Sequence, residues 1–175
     1  MAAVAAFYED NGAQTGSPLK GTTRAVATQM NWKSIDDIAT AYATSPITRG
    51  GNSYTKYQFI QFSGTFNSIG AGLWAHTAGA MGTGLTIKGV VGTTYATPAT
   101  AANAALTVDM TTVIAIGSGQ AVLFGATGPE AAGKATSSAA NPCFSEYLPT
   151  QLQTTVSATT GDTATAVFTA QWSES

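Results

Sequence analysis

Hydrophobic and polar residues alternate in short runs along this chain, and clusters of Gly, Asn, Ser and Pro separate the runs. Within residues 85–91, Leu85, Ile87, Gly89 and Val91 share one side and Thr86, Lys88 and Val90 the other, the period of two of a half-buried strand. Leu106, Val108 and Met110 alternate with Thr107 and Asp109 in the same way. Toward the C-terminus, Leu152, Thr154 and Val156 oppose Gln151, Gln153 and Thr155. Beyond them, Ala164, Ala166, Phe168, Ala170 and Trp172 oppose Thr163, Thr165, Val167, Thr169 and Gln171. These last two runs read as a β-hairpin closed by a loop containing Gly161 and Asp162. Further strands are expected at 54–66, 70–76, 111–116 and 121–124. In the first of these, Tyr57 and Phe59 fall on one side and Ile60, Phe62 and Phe66 on the other. That pattern suits a strand buried on both faces better than an exposed ring platform for stacking sugars.

About seven or eight short strands at this spacing predict an all-β fold, an antiparallel β-sandwich of jelly-roll or Ig-like type. The apolar start of the chain reaches Glu9 and Asp10 before a signal-peptide core can form, so residues 1–20 are expected as an N-terminal arm and 21–175 as a single β-sandwich domain. One segment departs from the strand pattern. Ser34 and Asp37 are spaced like a capping box, Asp36 and Asp37 suit a helix start, and Pro46 forces an end, which admits one short helix over 35–43. The Ala- and Gly-rich stretches 94–105 and 125–141 read as long loops.

Charge changes the picture most. Only 7 Lys or Arg and 9 Asp or Glu occur in 175 residues, 9% of the chain, against about 25% in ordinary soluble domains. Over the roughly 8000 Å² that such a chain exposes, that is one charge per about 500 Å². A neutral surface suits packing against other proteins, because burying hydroxyls and small apolar groups avoids the desolvation cost of ions. Nucleic acid is disfavoured by the net charge of −2 and by basic residues spread singly along the chain. No apolar run approaches the ~18 residues of a membrane span. The lone Cys143 forbids an intrachain disulfide and fits synthesis in a reducing cytoplasm.

Candidate chemistry is sparse. His76, the one histidine, follows Trp74 in an expected strand and reads as a surface or sheet-edge residue rather than a base. A Ser-His-Asp arrangement lacks a nucleophile-elbow pattern, and a zinc site would have His76 and Cys143 alone among its favoured ligands. Gly79, Gly82 and Gly84 are ordered wrongly for a dinucleotide fingerprint and read as a turn before the Leu85 strand. No enzyme, cofactor or metal is expected. A carbohydrate- or receptor-binding module is a rival reading, with Trp32, Trp74 and Trp172 as its aromatic candidates.

Four stretches carry a resemblance. Phe7-Tyr-Glu-Asp-Asn-Gly-Ala13, Gly51-Asn-Ser-Tyr-Thr-Lys-Tyr57, Phe66-Asn-Ser-Ile-Gly-Ala-Gly-Leu-Trp74 and Phe168-Thr-Ala-Gln-Trp-Ser-Glu174 together resemble small β-rich virion proteins of tailed bacteriophages. The resemblance implies a structural protein made in the host cytoplasm and carried on the virion. It points first to a capsid decoration or cement protein on the outer head surface, with a tail-tube, terminator or neck component as the alternative. The implied partners are the major capsid protein or other virion proteins, with no nucleic acid and no membrane. A homo-oligomer, favoured as a trimer, is expected, with Val4, Phe7, Tyr8 and Trp32 as assembly-interface candidates.

Overall fold

The structure is a computed structural model that describes residues 3–15, 21–64, 66, 69–90, 94–100, 106, 108–114, 120–122, 143–159 and 166–174. Among these, ten strands occur: β1 (Ala3–Asn11), β2 (Thr23–Val26), β3 (Lys56–Gly64), β4 (Ile69–Ala78), β5 (Leu85–Gly89), β6 (Val108–Asp109), β7 (Gln120–Val122), β8 (Cys143–Phe144), β9 (Leu148–Thr154) and β10 (Val167–Glu174). The only helical element among the described residues is a 3₁₀ turn at Tyr42–Thr44. The strands form a seven-stranded sheet, ordered β2-β1-β3-β9-β5-β6 with β8 also on β3, and a three-stranded sheet ordered β10-β4-β7. Every described strand pairing is antiparallel. The all-β antiparallel sandwich expected from the alternation is therefore what the chain forms.

Residue parity explains how the layers meet. On β4 and β10 the register sets His76 opposite Phe168, Trp74 opposite Ala170 and Gly72 opposite Trp172, all on one face. That face packs on Ile60 and Phe62 of β3, Ile87 of β5 and Leu148 of β9, with Ala5 and Phe7 of β1 at the margin. The reverse face of β3 carries Tyr57 and Phe59, which join Tyr95, Phe144 and Tyr147 in a second buried cluster. β3 is thus buried on both faces, as its two-sided aromatic pattern predicts. Between β4 and β5, Gly79, Gly82 and Gly84 take φ of 89°, 76° and 77°, a left-handed turn that favours glycine.

Four expectations about the fold are corrected. Residues 3–10 are no arm: they pair with β3 from Ala3↔Gly64 to Asp10↔Tyr57, placing β1 between β2 and β3. Small apolar Ala and Val residues read as a docking tail, yet their backbone pairs along β3, with Ala3 and Ala5 packed against the core. The C-terminal hairpin does not exist either. β9 pairs with β3 and β5, while β10 pairs with β4 in the opposite sheet. Alternation fixes which face of a strand is apolar but not its partner, so a crossing between layers leaves no mark in the pattern. The connecting Gly161 and Asp162 lie outside the described residues.

The third correction concerns the helix over 35–43. The Asp37 and Thr40 carbonyls, which a helix would commit to its own N–H groups, accept instead from Lys56 Nζ at 3.1 Å and Lys33 Nζ at 2.7 Å. Asp37 Oδ1 accepts the Thr40 N–H at 2.9 Å in a local turn. Residues 111–114 form no strand, and 115–116 and the expected loop 125–141 lie outside the described residues.

Candidate functional site

The core-facing side of β1 and β3 changes character along its length. Ala5, Phe7, Ile60 and Phe62 make one end apolar, whereas Glu9, Asn11, Lys56 and Gln58, at the same parity, make the other polar. Glu9 Oε1 accepts from Asn11 Nδ2 at 2.8 Å and Lys56 Nζ at 3.0 Å, and Oε2 accepts from Gln58 Nε2 at 3.1 Å. Gln58 Nε2 also reaches the Gln29 carbonyl at 3.2 Å. Asp36 accepts from Asn11 Nδ2 at 2.9 Å and from the Gly12 N–H at 2.7 Å. The small sheet covers the apolar end, and these bonds to Gln29, Asp36 and Asp37 lash the loop over the polar end. Lys33 Nζ closes on Asp37 Oδ1 at 2.8 Å. The hydrogen bonds that Asp37 accepts from Lys33 and then from Thr40 hold its carboxyl at about 2.

The opposite face repeats the device. Arg24 grips Asp10 through Nε at 2.7 Å and Nη2 at 2.8 Å, with its guanidinium 4.6 Å from the Phe59 ring centre. The Tyr147 hydroxyl donates to the same Asp10 carboxylate. Burial, and next that bond to an anion, push the Tyr147 phenol well above its ordinary range. Burial does the same to Tyr95, which donates to the Gly12 carbonyl at 2.7 Å.

Charge in this protein is therefore turned inward. Glu9, Asp10, Lys33, Lys56 and Glu146 are buried. The more exposed charges are also engaged: Lys88 with Asp109 at 3.2 Å, Arg49 with the Val156 carbonyl at 2.7 Å, and Glu174 with the Ala3 N–H at 3.0 Å. Glu146 has its own partner as well. Among the described residues the charged side chains have partners within the molecule, although Arg49, Asp109 and Glu174 are also exposed to solvent.

Where the apolar and polar ends meet, the sandwich opens into a pocket of about 640 Å³. Its walls are the rings of Phe7, Trp32, Tyr42, Trp74 and Phe168, with Met30 and Met81 between them. Thr28, Gln29 and Asn31 stand at its exposed rim. Asn31 holds φ at 38°, a left-handed conformation that Asn tolerates better than most residues. No charged side chain lines the pocket among the described residues. Trp74 is 2% exposed, and its indole N–H has no hydrogen-bond partner there.

The four interface candidates separate. Phe7 and Trp32 meet in this pocket: Phe7 packs edge-on to Trp74 at 5.4 Å, and Trp32 edge-on to Phe168 at 5.8 Å. Trp32 Nε1 also donates to Thr150 Oγ1 at 3.1 Å. Val4 and Tyr8 lie on the reverse face of β1, Val4 61% exposed and Tyr8 stacked on Phe59 at 5.7 Å. Trp172 packs on Phe62 at 5.1 Å within the core. His76 is buried rather than at a surface or edge. Its ring lies 4.8 Å from Phe168, with Nδ1 3.1 Å from the Met110 carbonyl and Nε2 3.0 Å from that of Ala78. Parity with Trp74, two residues earlier, is the sequence signal that points it inward.

Tyr42, Met30 and Asn31 lie in irregular segments with no periodicity, so nothing in the sequence marks them as pocket residues. Cys143 sits in β8 opposite Phe62. Groups of three or more His, Cys, Asp or Glu able to hold a metal ion are absent among the described residues. No described helix is long and apolar enough to cross a membrane. No family model, curated protein or solved structure matches this chain.

Proposed function

We propose that this chain is a structural protein of a bacteriophage virion, a decoration or cement protein that binds the outer capsid surface as a homo-oligomer, favoured as a trimer. The observation that carries the reading is the inward turn of the charges. Glu9 with Lys56, Asp10 with Arg24 and Lys33 with Asp37 satisfy one another within the fold. What is left to meet a partner is poor in unpaired charge, in a chain rich in Ala, Thr and Gly, and such a surface loses little solvation on burial. A standard interface of about 800 Å² per partner would need to desolvate few ions here. The major capsid protein is the partner this reading names.

Cryo-electron microscopy of virions from the phage that encodes the chain tests the reading. Density for the sandwich in many copies on the outer head lattice supports it. Density confined to the tail or neck, or absence of the protein from purified particles, overturns it.

A further inference from the structure

We propose that the pocket between the two sheets binds a neutral sugar ring, a binding activity separate from docking on other proteins. Its volume of about 640 Å³ lies within the ~300–1000 Å³ of small-molecule sites and exceeds what one side chain fills. Charge selects the ligand class first. With no charged side chain among the described lining residues, an ionised ligand would leave water without a counter-ion.

Polarity selects it further. The polar groups that reach solvent at the pocket include the Gln29 and Asn31 amides and the Thr28 hydroxyl at its exposed rim, so it favours a ligand that brings hydroxyls over a plain hydrocarbon. The rest of the lining is apolar, with the rings of Trp32, Tyr42 and Phe168 beside Met30, Met81 and Leu152. Flat rings beside amide groups fit a pyranose, which offers a C–H face to the rings and hydroxyls to the amides.

Binding of glucose, galactose, N-acetylglucosamine, maltose and cellobiose, followed by saturation-transfer NMR and tryptophan fluorescence, tests the proposal, with glucuronate as a charged control. Two variants leave the core untouched. Tyr42→Ala removes a ring that is 48% exposed, and Asn31→Gly removes the amide while accepting the left-handed backbone. The expected result is saturable binding of at least one neutral sugar, weakened about tenfold or more by Tyr42→Ala at unchanged melting temperature. Absence of saturation by every neutral sugar up to about 50 mM overturns the proposal. So does glucuronate binding as tightly as the neutral sugars, or affinity unchanged in both variants. A pocket filled by a partner protein's side chain would give the first of these negative results.

Discussion

Lys56 Nζ lies 3.0 Å from Glu9 Oε1, and both side chains are 1% exposed. In a chain so poor in charge, this pair joins β1 to β3 at the point where the sheet's inner face turns polar. Asn11 and Gln58 complete the carboxylate's partners, and the Asp37 carbonyl takes a second Lys56 proton. A buried pair of this kind stabilises little relative to a hydrophobic replacement, but losing one member strands the other.

Lys56→Met is therefore expected to destabilise the protein by about 3–5 kcal/mol in urea unfolding, because Glu9 keeps its charge without a cation. The double replacement Glu9→Gln with Lys56→Met should recover a large part of that loss, since neither charge is left alone. A double variant no more stable than Lys56→Met would show that the pair contributes nothing as a unit.

Deleting residues 1–8 tests the role of β1. A free arm could be removed without effect on the fold, but Ala3 to Tyr8 pair with Gly64 to Phe59, and Phe7 packs on Trp74. Circular dichroism should show loss of the cooperative unfolding transition. Retention of that transition would return these residues to the status of an arm.

Asp37 gives the acid limb of stability a definite sign. Its carboxyl is held at about 2, below the unfolded value of about 3.8. Its contribution is therefore complete above pH 3.8 and is lost as pH falls toward 2. The Asp37 side chain is 40% exposed, so solvent screens the effect and it is small. Carboxyl NMR titration should place Asp37 below an ordinary aspartate. Lys33→Met should move it back up, and an unshifted midpoint in that variant would contradict the assignment.

The sequence made the layers legible and left their connections hidden. Period-two alternation located β3, β4, β5 and β10, and the paired faces of Tyr57/Phe59 and Ile60/Phe62 announced a strand buried twice. β1 escaped because alanines give no strong alternation, and β2 and β8 because two to four residues are too few to show one. The helix expected over 35–43 does not form because Lys56 and Lys33 take the Asp37 and Thr40 carbonyls, one from a distant strand and one against helical order. Phe7 and Trp32 were singled out for exposure on an interface. Their meeting in a pocket depended on a loop crossing that no local pattern encodes. Charge poverty was plain from composition, but its inward direction needed the pairing register of β1 on β3.

The salt dependence of attachment tests most directly whether a neutral surface does the docking. Purified protein would be added back to capsids stripped of it, and occupancy measured from about 0.1 M to about 1 M NaCl, over which the screening length falls from about 10 Å to about 3 Å. Contacts between neutral groups predict occupancy that holds steady or rises across that range. Occupancy that falls steeply with salt would mean that exposed charges carry the attachment, and would contradict docking through neutral groups.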